Sequence, residues 1–352
     1  MKILKIINTS QQDITSYTAL ISAFEFKKLG HEVEILSVPS DSIKEFCQKN
    51  NINFSFIDFR YILGYKDIKD YDVIEIYGYD KTNNFFLKKI LAKKKPIKIL
   101  KLCSFYDERF KKFIKDNIDD ISLIITISQS LKDDLIFDGI SESKIFSINP
   151  IISGRWETAK QIRVFTTITR PYRVITVVRK KKFDELKLFL SIAREILKIN
   201  QDINFSIIGI KSDELRNIAR EWGISHKIDM LDYRTDMPEV MAMSHIYLKP
   251  ALNPDISRSV FEAMCSGVIV VVSDVKGFSD FIISDYNGIV VRRDDINLYV
   301  KTILSLLNEP ARMESISTIS YNYAMANFKA NINVKVKEII YDEMINEKLG
   351  IR

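Results

Sequence analysis

The sequence predicts an α/β protein built from two open, mostly parallel sheets. Short apolar runs alternate with segments of helical periodicity along most of the chain, which is typical of strand–helix–strand units. The alternation breaks once, at residues 151–173, where Gly154, Pro171 and scattered charges indicate a connection between domains. The chain has 352 residues, and single cores rarely grow beyond roughly 250–300 residues, so we expect two domains.

The first half begins with a buried strand at residues 2–8. A helix follows at 16–29 and ends before Gly30, a suitable residue just past a helix C-terminus. Further strands are expected at residues 33–37, 54–58, 73–77, 97–103 and 121–127. Because segments of helical length separate several of them, we expect a parallel sheet covered on both faces.

The second half repeats the pattern. Strands are expected at residues 174–178, 204–208, 227–230, 246–249, 268–273 and 288–291. Helices are expected at 185–199, 212–222, 237–243, 258–265 and 296–307, with an amphipathic helical stretch at 313–348. Ligands of such sheets bind beyond the carboxyl ends of the strands, so the functional residues should follow the strands.

The composition excludes several classes of protein. Only 11 residues are glycine, where ordinary usage gives about 25, and neither a dinucleotide fingerprint nor a Walker A loop occurs. Cys47, Cys103 and Cys265 lie far apart in the sequence, so we expect neither a disulfide framework nor a zinc knuckle. This cysteine usage is typical of a protein in the reducing cytoplasm. The N-terminal apolar run is too short for a signal peptide. The sequence has no run of about 18 apolar residues, so we expect no membrane-spanning helix.

Positive charge is concentrated in two segments. Residues 81–112 hold 11 Lys and Arg against two acidic residues, and residues 155–187 hold ten against three. A solvated helix face, an anionic membrane surface and a polyanionic ligand each fit the first segment. Nucleic acid fits less well, because no helix-turn-helix, RNP or zinc signature accompanies the charge.

The most informative segment spans residues 244–274. A strand ends at Lys249, a loop follows, and Ser257 stands where it can N-cap a short helix. The free N–H groups of that helix's first turn can bind a phosphate without a glycine-rich loop. Glu262 lies one turn further on, where its carboxylate can accept two hydrogen bonds from a ribose diol, although a lone helical Glu is more often an ordinary surface residue.

This segment resembles the donor-site signature of family-4 (glycosyl transferases group 1) retaining glycosyltransferases of the GT-B fold. The matching residues are Pro250-Ala251, Glu262-Ala263-Met264, Gly267 and Ser273-Asp274. Weaker similarity is colinear over nearly the whole chain, including residues 29–33, 125–139, 232–239 and 287–291. The resemblance implies two Rossmann-like α/β/α domains facing a central cleft. Residues 1–155, completed by a C-terminal helix at 335–350, would form the acceptor side, and residues 160–334 the donor side.

The resemblance also implies a metal-independent reaction with no cofactor, in which a UDP- or GDP-linked sugar is transferred with retention of anomeric configuration. Arg179 matches the family's arginine that neutralises the departing diphosphate, and Lys182 is the best match for its lysine, with Lys181 second. A basic surface turn is the alternative interpretation of these residues. The donor-binding candidates are Glu262 for the ribose, Ser257, Arg258 and Ser259 for the phosphate end, and Tyr233 and Arg234 beside the base.

Three departures from the family pattern concern the site itself. Pro254 stands where the family has the first glutamate of its signature, and the adjacent Asp255 is the catalytic substitute we expect. The N-terminal glycine pair is replaced by a polar loop, in which Gln12 and Asp13 are acceptor-side candidates. No histidine stands at the strand ends where the family often has one. Tyr79 and Ser104 are the acceptor-side candidates there.

The implied function is a glycosyltransferase that acts on a cell-surface polysaccharide, a lipopolysaccharide or a lipid-linked glycan. We expect a cytoplasmic protein that contacts the anionic inner face of the membrane through residues 81–112 and binds no nucleic acid. The alternative is a GT-B-like binding or scaffold subunit that has lost turnover, which Pro254 favours.

Overall fold

The computed structural model describes residues 1–9, 13–58, 71–79, 84–156, 170–178, 182–232 and 234–351. The chain divides into two compact units. The first unit comprises Met1–Ser153 and Asn327–Arg352, and the second comprises Gly154–Ala326. Each unit is an α/β domain with its own parallel sheet.

The strands of the first unit are β1 (Lys2–Ile7), β2 (Glu32–Ser37), β3 (Asn53–Phe56), β4 (Val73–Tyr77), β5 (Ile97–Leu102), β6 (Leu123–Thr126) and β7 (Ile145–Ser147). Its helices are α1 (Ile14–Lys28), α2 (Asp41–Lys49), α3 (Asn84–Leu91), α4 (Glu108–Asp116), α5 (Gln129–Phe137) and, from the C-terminus, α12 (Ala330–Lys348).

The strands of the second unit are β8 (Tyr172–Val177), β9 (Ile203–Ile208), β10 (Ile228–Leu231), β11 (Ile246–Lys249), β12 (Ile269–Ser273) and β13 (Ile289–Val291). Its helices are α6 (Phe183–Ile199), α7 (Asp213–Glu221), α8 (Met237–Ala242), α9 (Arg258–Cys265), α10 (Ile296–Asn308) and α11 (Pro310–Asn327).

The first sheet has the order β3-β2-β1-β4-β5-β6-β7, and its neighbouring strands pair in parallel. The chain builds outward from β1 to β3 and then resumes at β4 on the other side of β1. The strand order therefore reverses between β1 and β4. In α/β sheets, loops on either side of such a reversal separate and leave a crevice at the carboxyl edge.

The second sheet has the order β10-β9-β8-β11-β12-β13 and is also parallel. Its order reverses between β8 and β11, which lie side by side with Tyr247 opposite Ile175. Strand β12 is buried at every residue, as expected for a parallel strand whose two faces are covered by helices. The two parallel-sheet domains of the GT-B fold class predicted from the sequence are thus confirmed.

Two local features were not predicted in full. The short edge strand β7 was not predicted, because three residues are too few to show a period. The helical stretch 313–348 is two helices, α11 and α12, separated at Phe328 and Lys329. There the backbone N–H of Ile152 donates to the carbonyl of Phe328 at 2.8 Å. This pairing returns the chain to the first unit at Asn327, earlier than the expected residue 335.

A buried polar network fastens α12 to the first sheet. The Glu75 carboxylate on β4 accepts hydrogen bonds from Lys5 on β1 and from Tyr341 on α12, and it forms an ion pair with Lys337 on α12. Tyr77 also donates to Glu75, at 2.8 Å. Each of these side chains is less than 2% exposed. A buried carboxylate without such partners would cost several kcal/mol, so one residue ties two strands and the C-terminal helix together.

The network contains more cations than one carboxylate can neutralise. Lys5, Lys337 and the neighbouring Lys101 on β5 are all fully or almost fully buried. Burial lowers the pKa of Lys101 to about 7, and the nearby Lys337 contributes in the same direction. The pKa of Lys5 is likewise well below its ordinary value because of burial and the charges of Lys337 and Lys101. Part of this cluster is therefore uncharged near neutral pH.

We predict that the stability of the first unit rises with pH between about 7 and 8.5. In this window the unfolded chain, with its lysine pKa near 10.5, binds more protons than the folded chain, in which the pKa of Lys101 is about 7. Each such lysine adds up to about 1.4 kcal/mol per pH unit. Above about pH 9 the rise should become shallower, since burial raises the pKa of the Cys103 thiol to about 11 and the unfolded chain then loses a proton that the folded chain keeps.

Hydrogen exchange of the β4 and β5 amides, corrected for the intrinsic pH dependence of exchange, measures this slope. The Lys101→Met variant should show a shallower slope than the wild type. The Lys44→Met variant changes an exposed lysine of α2 and should keep the wild-type slope. A flat or falling stability between pH 7 and 8.5 in the wild type would contradict the prediction.

Candidate functional site

The second sheet places charged residues at the point where its strand order reverses. β8 leads to Lys182, which is the N-cap residue of α6, and Glu185 lies in the first turn of that helix. The adjacent β11 ends at Lys249, and the loop that follows carries Asp255 before α9 begins. The carboxyl ends of the two central strands therefore bring together residues that are up to 73 positions apart in the sequence.

These four residues form an ionic quartet. The Nζ atom of Lys182 lies 3.1 Å from Glu185 Oε1 and 3.1 Å from Asp255 Oδ2. The Nζ atom of Lys249 lies 2.7 Å from Glu185 Oε2 and 3.5 Å from the same Asp255 oxygen. Each lysine thus contacts both carboxylates, and the formal charges of the quartet cancel.

Burial distinguishes the two lysines. The side chain of Lys182 is 33% exposed, whereas that of Lys249 is 13% exposed. Burial alone would lower the pKa of Lys249, but the charges of Asp255, Tyr247 and Glu185 outweigh it, and the pKa is raised. Lys249 is therefore the buried lysine of the quartet and stays positively charged. Lys182 is the more exposed lysine and is better able to reach an anionic ligand.

Lys182 and Asp255 were predicted from the sequence, whereas Lys249 and Glu185 were not. A lysine that ends the apolar run of β11 was the available signal, because an isolated charge on a buried strand requires a partner. The partner could not be named, since Glu185 lies 64 residues earlier in the chain.

The phosphate-end candidates lie at the start of α9, as expected. Ser257 occupies the N-cap position, but its hydroxyl makes no capping hydrogen bond, so this part of the prediction was wrong. The hydroxyl instead lies 3.0 Å from that of Ser259, which in turn lies 2.7 Å from the Tyr247 hydroxyl on β11. Because these hydroxyls bond to one another, Ser257 does not cap the helix N-terminus.

Arg258 and Glu262 form a buried ion pair on α9. The Arg258 Nε atom donates to Glu262 Oε1 at 2.7 Å, one helical turn away. The Glu262 side chain is fully buried and that of Arg258 is 9% exposed. A ribose could therefore reach the Glu262 carboxylate only if the Arg258 side chain moved or shared it. The ribose role of Glu262 stays a prediction.

The other donor-side candidates are only partly visible. Arg179 and Tyr233, with the second-choice Lys181, lie outside the described residues. Arg234 forms a two-pronged contact with the exposed Asp236, with its Nε atom 2.7 Å from Oδ1. This pair precedes α8, beyond the carboxyl end of β10.

The acceptor-side candidates follow strands of the first sheet. Asp13 caps α1 by accepting the backbone N–H groups of Thr15 and Ser16, each at 3.0 Å. Tyr79 follows β4 and stacks on Phe110 with ring centroids 5.0 Å apart. Ser104 follows β5 and is exposed. Gln12 lies outside the described residues.

Asn8 adds an unsatisfied polar atom to this edge. It follows β1, is 3% exposed, and its backbone N–H donates to the Tyr77 carbonyl at 2.9 Å. Within the described part of the chain, its side-chain oxygen has no hydrogen-bond partner. An acceptor oxygen at the reversal point of a sheet is suited to bind a ligand hydroxyl.

The basic segment 81–112 is less exposed than its composition suggested. Lys98 and Lys101 are buried, and Lys111 lies 2.6 Å from Asp138. The exposed remainder on and after α3 is the basic patch, which comprises Phe85, Lys88, Lys89, Lys94 and Lys95. The Lys89 ammonium lies 4.6 Å from the centroid of the Phe85 ring, which is 59% exposed.

Three further observations concern metal ligands, cysteines and membrane-spanning helices. Where the structure describes the chain, no three His, Cys, Asp or Glu residues are grouped so that they could hold a metal ion. The three cysteines are buried, and burial raises the pKa of Cys47 to about 12 and that of Cys103 to about 11. Of the helices described, none combines the length and apolar character needed to span a bilayer.

Comparison with known proteins agrees with the geometry of the second unit. Residues 158–323 match the family model of glycosyl transferases group 1. The second unit is therefore similar to a glycosyl transferases group 1 domain. The match names this group as a whole and does not distinguish the family-4 subdivision.

One curated enzyme and two solved structures illustrate what the chain is similar to. An Escherichia coli UDP-Gal:α-D-GlcNAc-diphosphoundecaprenol α-1,3-galactosyltransferase is 21% identical over 165 residues, which cover 45% of this chain and only 42% of that enzyme. A glycosyltransferase from Rickettsia africae has the same fold with a TM-score of 0.82 and 14% identity, over 98% of each chain. Anabaena HepE, solved in complex with UDP, has a TM-score of 0.80 and 14% identity over the full length of both.

We predict that Arg258→Met destabilises the second unit by about 3–5 kcal/mol, because it leaves the buried Glu262 carboxylate without its arginine. Urea unfolding followed by tryptophan fluorescence reports on this unit, since both tryptophans, Trp156 and Trp222, belong to it. The control Arg216→Met removes an exposed pair with Asp213 and should cost no more than about 1 kcal/mol. Equal destabilisation by both substitutions would show that the buried pair has no special role.

Proposed function

We propose that this protein is a glycosyltransferase that transfers a sugar from a nucleoside-diphosphate donor to a glycan acceptor. The observation that carries the proposal is the pair of lysines at the carboxyl ends of β8 and β11, where α/β sheets bind ligands. The group 1 match of residues 158–323 supports the reaction class. HepE, of the same fold, binds UDP, which supports a uridine donor over a guanosine donor.

In this proposal Lys182 contacts the diphosphate and stabilises the negative charge that develops as the sugar bond breaks. A preorganised cation is effective there because it needs no reorganisation during the reaction. Arg179, which lies outside the described residues, would be the second cation. The N-terminus of α9 adds its helix dipole and the N–H groups of its first turn, with Ser257, Arg258 and Ser259 beside the phosphate. Lysine, arginine and helix N–H groups would thus neutralise the diphosphate, and the proposal includes neither a metal ion nor a cofactor.

The remaining donor contacts are assigned by position. Arg234 precedes α8, and with Tyr233 it would border the base. Glu262 would bind the ribose once Arg258 shares its carboxylate. Asp255 stands one residue after Pro254, and Lys182 and Lys249 hold it at the carboxyl edge of the sheet. We propose that this carboxylate faces the transferred sugar and that transfer retains the anomeric configuration. The anomeric proton coupling of the product, observed by NMR during the first turnovers, tests the stereochemistry.

The acceptor is proposed to be a lipid-linked glycan or a related intermediate of polysaccharide or lipopolysaccharide assembly. The similar Escherichia coli enzyme acts on a GlcNAc-diphosphoundecaprenol, which is a lipid-linked acceptor. Asn8, Asp13, Tyr79 and Ser104 line the carboxyl edge of the first sheet and are the residues we propose to contact it.

Pro254 supports a second candidate, a binding or scaffold subunit without turnover. The exposed proline cannot supply the carboxylate expected at that position. Nucleotide binding without hydrolysis or transfer, for any UDP- or GDP-sugar and acceptor tested, would favour this candidate over the enzyme.

We predict that Lys182→Met lowers kcat/KM for the nucleotide sugar about 100- to 1000-fold, because one positive contact with the developing charge is lost. Release of UDP from UDP-sugars, with and without acceptor, measures the effect, and Arg179→Ala should behave similarly. The control Lys198→Met lies at the far end of α6, where Lys198 pairs with Glu195, and should retain wild-type activity. Wild-type turnover in Lys182→Met would contradict the assigned role.

We also propose that the basic patch contacts anionic lipid. Each lysine near such a surface contributes about 1 kcal/mol, so replacing Lys88 and Lys89 by serine should lower binding to phosphatidylglycerol vesicles roughly 30-fold. The control replaces Lys44 and Lys49 on α2, which are equally exposed, and should bind as the wild type does. Flotation that depends neither on the anionic lipid nor on salt would overturn the membrane contact.

A further inference from the structure

Lys249 is an unusual residue for its place in the fold. It ends β11, whose other three residues are buried and apolar or aromatic, and its own side chain is 13% exposed. An ammonium group in such a position is unfavourable unless it is paired. An apolar residue could end the strand without that cost. The pairing with Glu185 and Asp255 offsets the cost, but it does not by itself explain why a charge is present.

The contacts within the quartet indicate which cation can leave it. Lys182 is an N-cap residue with a third of its side chain exposed, and it lies 3.1 Å from each carboxylate. Lys249 is held by a central strand and already contacts both of the same carboxylates. When Lys182 turns towards an anionic ligand, Lys249 can therefore keep both carboxylates paired without a backbone movement.

We propose that Lys249 is a positioning residue for the donor, which holds Glu185 and Asp255 while Lys182 moves from these carboxylates to the diphosphate. This inference rests on the proposed function. Lys249 does not need to contact the ligand. Without it, two carboxylates would compete with the diphosphate for Lys182, the one cation left in the quartet, and they would repel the diphosphate at close range.

The first test is the affinity for UDP, measured by isothermal titration calorimetry. Lys249→Met should weaken UDP binding about tenfold or more, a change of about 1.4 kcal/mol or larger. It should raise the donor KM by a similar factor and change kcat by less than about threefold, because the cation at the reacting group is retained. Lys249→Arg keeps the charge and should bind within about threefold of the wild type. The control Lys198→Met should bind as the wild type does.

A second variant separates positioning from structural damage. Adding Glu185→Gln to Lys249→Met removes one charge of each sign, so that Asp255 alone remains opposite Lys182. The double variant should regain most of the lost UDP affinity. Damage to folding would instead make the two losses add, and a double-mutant cycle measures the difference.

The outcomes distinguish this inference from the proposed function. If the wild type binds UDP and Lys249→Met binds it equally well, or if the double variant is weaker than Lys249→Met, the positioning role is wrong and the nucleotide site stands. If the wild type binds none of UDP, GDP and inorganic pyrophosphate, the proposed function and this inference both fail.

Discussion

Two lysines and two carboxylates share the carboxyl ends of the central strands of the second sheet, and the proposed chemistry depends on how they divide their charge. The constraint comes from topology. β8 and β11 lie side by side although more than 60 residues separate them, so the α6 N-terminus and the loop before α9 meet at one edge. Since the formal charges cancel, a diphosphate must either displace a carboxylate or recruit a cation from it. Binding of an anion such as a diphosphate therefore requires the ion pairs of the quartet to rearrange.

The first unit solves the opposite electrostatic problem. There a single carboxylate, Glu75, lies among the buried lysines Lys5, Lys101 and Lys337, and burial lowers the pKa of each lysine. Proton loss rather than pairing removes the excess charge. The difference follows from solvent exposure. The charged side chains of the first unit's network are buried, whereas Lys182 in the quartet is partly exposed. The buried network around Glu75 therefore contributes to holding the C-terminal helix, whereas the partly exposed quartet can exchange ion-pair partners.

The sequence was sufficient for every strand of the two sheets except β7, and for half of the quartet. Strand–helix alternation and the signature around Glu262 depend on local pattern, and both predicted the α/β fold and the donor-side helix correctly. Contacts between residues far apart in the sequence could not be predicted from it. Lys249 with Glu185, and Glu75 with Lys337, join residues that no local period connects. A prediction from local sequence also failed where a side chain has another hydrogen-bond partner. The Ser257 hydroxyl bonds to Ser259 instead of capping the helix. The count of basic residues in 81–112 overstated the surface charge because Lys98 and Lys101 point into the fold.

The glycine shortage fits this picture. No glycine-rich loop follows β8, and α6 begins after a run of lysines ending at Lys182. If side-chain charge replaces a glycine-rich phosphate cradle, a crystal structure of the protein with bound UDP is the most direct measurement. In this complex we predict the Lys182 Nζ atom at roughly 3 Å from a phosphate oxygen. We also predict that Lys182 has left Asp255 and that Lys249 contacts both carboxylates. A complex in which UDP is bound while Lys182 still contacts both Glu185 and Asp255 would contradict this prediction.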